Sequence, residues 1–166
     1  MIKKILITTI ILIVLYCFYS PIVIKLKEEK ATKTSLVKDE VFSLRKFFKE
    51  DHKNYKAYII LSDDDFADLS PKIKKAKVLI STDQIVIDEL LTCKFKYTDS
   101  DVSTVDSRIY IYDDGKLLFE SGIVLDKNSQ GLQNQELGWV KPINENQFIA
   151  VCNKFKRYNF PLLILK

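Results

Sequence analysis

Hydrophobic and polar positions divide the chain into two unequal parts. Residues 5–24, ILITTIILIVLYCFYSPIVI, carry no charged side chain. A helix of about 20 residues at about 1.5 Å per residue matches the roughly 30 Å of a bilayer's hydrocarbon core, so the run predicts one membrane-spanning helix. Lys3 and Lys4 precede it, Lys25 and Lys27 follow it, and Tyr16 and Tyr19 stand where an aromatic belt would lie. Pro21 is expected to kink or end the regular helix. A cleaved signal peptide fits less well. Tyr16, Phe18 and Tyr19 stand where small residues are wanted, and cleavage after Ser20 would put Pro21 at the scissile bond. A lipoprotein reading rests on Cys17, but Val14-Leu15-Tyr16 precedes it instead of small residues. The lysine count, with Lys30 and Lys33 also behind the run, leans towards a cytoplasmic domain. The short N-terminal tail beside a hydrophobic run is the form of a signal anchor, and an extracytoplasmic domain is the expectation. The resulting organisation is a membrane anchor over 1–27, a charged linker over 28–34 and one domain over 35–166.

Within the domain, Val37, Val41, Leu44 and Phe48 recur at helical spacing, with Leu36 and Phe47 widening the stripe, and predict a helix over 35–51. Residues 57–61 read as a strand. Ser62 ahead of Asp63-Asp64-Asp65 reads as a helix start, and Ser70-Pro71 as a second. Residues 78–80 read as a strand, Ser81 and Gln84 as a capping box before a helix over 83–92, and 94–98 as a strand. The sharpest local signal is Asp113-Asp114-Gly115-Lys116 between the β-rich runs 108–112 and 117–125, which predicts a hairpin. Residues 126–136 (DKNSQGLQNQE) read as an exposed loop and 137–141 as a short strand. Asn144 with Gln147 marks a helix bearing Phe148, Val151, Cys152 and Phe155, and 160–165 reads as a terminal strand with Pro161 at its start or on an edge. The fold class expected is α+β: a mixed sheet of five to seven strands flanked by three or four helices, its first half parallel.

Charge changes the picture by what it excludes. The net charge is +4, and Lys3, Lys4, Lys25 and Lys27 account for all of it; from Glu28 onward 22 basic residues balance 22 acidic ones. A neutral domain gives no electrostatic footprint for nucleic acid, while the basic flanks suit anionic lipid head groups. Lysine outnumbers arginine 23 to 3 and isoleucine numbers 20, the signature of an AT-rich and bacterial coding genome.

Candidate chemistry is sparse. Asp63, Asp64 and Asp65 follow an apolar strand, where α/β enzymes hold divalent cations, yet helix capping explains the run more simply. His52 is the single histidine and reads as a complement to a helix C-terminus, so no pair of histidines is available to a metal. There is no Gly-rich phosphate loop, nucleophile elbow or Cys-x-x-Cys spacing, and no cofactor is expected. Cys93 and Cys152 are the two domain cysteines, read either as a disulfide or as two buried thiols. Trp139, beside the polar loop, and Tyr110 and Tyr112, which share a strand face, are candidate binding residues, with core packing as the plainer reading.

These features predict a non-enzymatic interaction domain that binds a protein partner in the cell envelope, with lipid contacted through residues 5–24. Anchored immunity proteins against exported toxins share this layout, an analogy of architecture alone. The alternative is a membrane-tethered enzyme that uses Asp63, Asp64 and Asp65 with a divalent cation.

Overall fold

The computed structural model describes residues 2–26, 40–48, 54–98, 105–134 and 138–165, with the side chains of Ile2 and Asn134 excepted. The apolar N-terminal run does not form one continuous helix. Helix α1 covers Ile2–Tyr19, 18 residues. It stops where Ser20 and Pro21 intervene, and Ile22–Lys25 forms strand β1. Lys3 and Lys4 occupy the first turn of α1, so its uncharged part runs only from Ile5 to Tyr19. That stretch measures about 22 Å at 1.5 Å per residue, against the roughly 30 Å of a hydrocarbon core. Among the described residues no helix is long and apolar enough to cross a membrane. The expected single-pass anchor is therefore corrected, and the expected signal-anchor topology and membrane localisation lose their basis with it.

The domain is α+β, with ten further strands among the described residues. They are β2 (Val41–Ser43), β3 (Tyr55–Ile60), β4 (Val78–Ser81), β5 (Lys94–Tyr97), β6 (Arg108–Asp113), β7 (Lys116–Leu125), β8 (Gln130–Asn134), β9 (Gly138–Pro142), β10 (Lys156–Arg157) and β11 (Leu162–Leu165). The helices are α2 (Asp63–Ala67), α3 (Gln84–Thr92) and α4 (Glu145–Lys154), with a 3-10 turn at Leu44–Phe47. Nine strands make one sheet in the order β10-β4-β3-β6-β7-β8-β9-β5-β2, and β1 and β11 make a separate parallel ribbon. Every neighbouring pair in the large sheet is antiparallel. This corrects the expected mixed sheet of five to seven strands with a parallel first half. The helical connection from β4 through α3 does not return to a neighbouring strand as a βαβ unit does. It delivers β5 to the far side of the sheet.

That crossing shows the sheet's curvature. Laid flat, nine strands at about 4.8 Å would span roughly 38 Å between edge strands. The nine residues of α3 extend about 14 Å. They nonetheless touch β3 and β4 towards one edge and the 3-10 turn that follows β2 at the other. The sheet curls around α3 and α4, and one core results. It takes Phe42, Ala57, Ile59, Leu79, Phe95, Ile111, Ile123, Leu132 and Val140 from the strands, and Ile87, Leu90, Leu91, Phe148 and Cys152 from the helices.

The local signals show why these elements form. Asp83 caps α3 by accepting from the Ile85 N–H at 2.9 Å, and Asn144 caps α4 by accepting from the Gln147 N–H at 3.0 Å. The hairpin turn puts Asp114 and Gly115 at φ 46° and 80°, both in the left-handed region that an Asp-Gly turn supplies. A bulge opposite Ile111 and Tyr112 leaves Leu118 without a register partner. It turns Leu117 to the outer face of the sheet, while Phe119 remains in the core.

Three expectations from the sequence fall differently. Over the described part of 35–51 there is a strand and a 3-10 turn instead of an amphipathic helix. Ser70-Pro71 opens a turn and not a helix. The polar stretch 126–136 contains β8, which pairs with both β7 and β9 inside the sheet.

Candidate interaction surface

The outer face of the large sheet carries its own apolar layer. Val78, Tyr110, Tyr112 and Leu117 pack there with Leu163 and Leu165 of β11, beside Val23 of β1. Tyr110 and Tyr112 share one face of β6, as their spacing predicts, and both are buried beneath the β1–β11 ribbon. Lys25, at the end of β1, fixes the ribbon in place. Its Nζ donates to both carboxylate oxygens of Glu120 at 2.8 Å and lies 5.4 Å from the Tyr110 ring centroid. Glu120 is the register partner of Tyr110 across β6 and β7. Burial, and then the charge of Glu120, push the Tyr110 phenol up to about 12.

The ribbon's outward face is apolar as well, and this is where the surface begins. Strand geometry alternates side chains, so Val23, Leu163 and Leu165 point inward. Ile22, Ile24, Leu162 and Ile164 point the other way and are exposed by 54%, 42%, 42% and 48%. Phe160, just ahead of β11, is exposed as well. Helix α1 carries a second exposed apolar surface. Ile5, Leu6, Ile7, Ile10, Ile11, Leu12, Ile13, Val14, Leu15, Tyr16, Phe18 and Tyr19 are all exposed. Arg157 of β10 holds the C-terminal end of α1, donating from Nη2 to the Phe18 carbonyl at 3.0 Å and lying over the Tyr19 ring.

The other candidate residues sit elsewhere. Trp139 is buried with Val105 and Val124 on the outer side of the sheet, its indole lying over Gly131. The three aspartates diverge. Asp63 pairs with Lys77, Asp64 is exposed, and Asp65 turns inward. The Asp65 Oδ2 accepts from the Ser62 hydroxyl at 2.9 Å, from the Ser107 N–H at 3.2 Å and from the Ser107 hydroxyl. Ser62 caps α2, its Oγ accepting from the Asp65 N–H at 3.1 Å. Among the described residues no group of three or more His, Cys, Asp or Glu side chains is placed to hold a metal ion. His52 lies outside the described residues.

Cys93 and Cys152 are both buried and both free. Cys93 ends α3, its thiol donating to the Glu89 carbonyl at 3.3 Å, and Cys152 lies on α4, which packs against α3. Burial and then Glu89 push the Cys93 thiol up to about 11. Burial and the neighbouring Cys93 push Cys152 up as well.

The outward ribbon face and Arg157 escape a reading of the sequence. The one trace they leave is that Ile22-Val23-Ile24 and Leu162 to Leu165 lack the polar alternation of a strand with one wet face. No family model, curated protein or solved structure matches the chain.

Proposed function

We propose that this protein is an interaction module, which binds a protein partner through α1 and acts by assembly instead of catalysis. The observation that carries this reading is the apolar surface of α1, exposed on every side of the helix. The uncharged part of α1, a cylinder about 10 Å across and 22 Å long, has a lateral surface of roughly 700 Å². The largest apolar patch on a typical monomer is about 300–600 Å². At about 25 cal/mol per Å², leaving that surface in water forgoes on the order of 20 kcal/mol of gross burial. A helix that is apolar all round belongs in the interior of an assembly.

The experiment is the native size of the full-length chain in extracts of cells that express it. The 19.3 kDa chain should migrate within a larger complex. Ile11→Lys with Val14→Lys should release it as a monomer whose domain melts as before, since neither side chain belongs to the core clusters. A wild-type chain that migrates as a monomer overturns the reading.

A further inference from the structure

We infer that the partner of α1 is a second copy of this chain, with the α1 of each copy lying on the outward face of the other's β1–β11 ribbon. The inference rests on the reading of α1 as a protein-binding element and names its occupant.

Each copy offers two apolar surfaces of different shape. One is a rod, α1, and the other is a flat strip made by Ile22, Ile24, Leu162 and Ile164 with Phe160 beside it. Helices and sheets bury their apolar faces against one another, so the rod of one copy suits the strip of the next. The chain's own α1 does not cover its own strip. Arg157 holds the C-terminal end of α1 on the β10 side, and all four strip residues remain exposed. A two-fold arrangement satisfies both copies at once and leaves neither surface over, which closes the assembly at two.

The areas agree with this occupant. A stable interface takes about 800 Å² from each partner. The strip alone is about 13 Å by 10 Å and is far too small. One side of α1 gives only about half of its roughly 700 Å². The requirement is met when α1 is covered on one side by the ribbon and on another by the second α1, which a symmetric pair provides. A single flat patch on an unrelated globular protein would leave much of the rod in water.

The test places a photo-reactive benzophenone side chain at Leu12 of the full-length chain. Equal amounts of unlabelled and 15N-labelled protein are mixed, and the mixture is irradiated both when purified and when returned to cell extract. The expected product is a hybrid of light and heavy chains whose cross-linked peptide contains Phe160 to Leu165. Ile24→Lys with Ile164→Lys should lower its yield by roughly tenfold or more, as charge at an interface centre does. Ile143→Lys, an exposed apolar position off the strip, should leave it unchanged. Adducts to a different protein, without the hybrid, overturn the second copy and keep the protein-binding reading. In a third irradiation with phosphatidylcholine vesicles added, adducts only to lipid, or no adduct in any of the three, overturn both. A hybrid whose yield ignores the ribbon substitutions overturns the placement of α1 on the strip.

Discussion

The side chain of Gln84 completes the backbone pairing of Tyr55. Its Oε1 accepts from the Tyr55 N–H at 2.9 Å, and its Nε2 donates to the Tyr55 carbonyl at 2.9 Å. The pairing of β3 with β4 stops at Ala57 opposite Ser81. The Gln84 amide therefore continues the ladder for one more step, and it does so from the first turn of the helix that crosses the core. Replacing it leaves two polar backbone groups to part-exposed solvent. Gln84→Ala is expected to cost about 1–3 kcal/mol, the range for losing hydrogen bonds at a partly buried site. Urea unfolding would show this as a lowered midpoint at unchanged slope.

Two glycines separate backbone strain from steric exclusion. Gly115 sits at φ 80° with nothing within 4 Å of a hypothetical Cβ, so Gly115→Ala carries conformational strain alone, about 1–2 kcal/mol. At Gly131 a Cβ would lie 2.5 Å from the Val140 carbonyl and 2.6 Å from the Trp139 ring. Gly131→Ala should be the more damaging change, at about 3 kcal/mol or more, because neither the ladder nor a buried indole has room to move. Thermal melting of the two variants checks the order.

Of the aspartate run, Asp65 is expected to contribute most to stability. Asp65→Asn weakens a charged acceptor of three hydrogen bonds and should cost about 1–3 kcal/mol. Asp64→Asn should stay within about 0.5 kcal/mol, as at an ordinary surface position. Millimolar Mg²⁺ or Mn²⁺ should leave the melting temperature unchanged in both variants and in the wild type. A cation-dependent rise would restore the enzyme alternative.

The buried thiols predict an alkaline limit to stability. A group whose folded pKa is raised above its unfolded value favours the fold fully below the unfolded pKa. That contribution is lost as pH climbs through the folded one. Cys93 moves from the ordinary 9.0 up to about 11, and Cys152 moves in the same direction. Stability should therefore fall across about pH 9 to 11. At pH 8 neither thiol should react with a disulfide reagent until urea opens the core.

Legibility in the sequence followed local chemistry. The Asp114-Gly115 turn and the helix begun by Asn144 are where they were expected, because turn and cap residues act within a few positions. Helix α3 begins as expected too, but its cap is Asp83, and Gln84 of the expected capping box with Ser81 pairs with Tyr55 instead. The first half failed where packing decides. Val41 stands in the helical stripe of the sequence, yet pairing of Val41–Ser43 with β5 makes a strand that buries Phe42 and leaves Val41 exposed. In β8 Leu132 is the main inward side chain of a polar segment, so burial between two strands left little trace in composition. Ile22-Val23-Ile24 read as more helix because both of its faces are apolar. Only the partner strand β11, about 140 residues away, makes it a strand. Of the candidate site residues, Tyr110 and Tyr112 were rightly put on one face, but the ribbon that covers them depends on that same distant pairing.

Hydrogen exchange over residues 5–19 tests the central claim most directly. A lone helix of about this length is marginal in water, because helices in proteins draw most of their stability from tertiary packing. The description of α1 as an element buried in an assembly predicts that its amides in the wild-type chain exchange roughly a hundredfold or more slower than in the Ile11→Lys, Val14→Lys variant, in keeping with opening that must first break the assembly. Equal, rapid exchange in the two proteins, with the core strands protected in both, would contradict it.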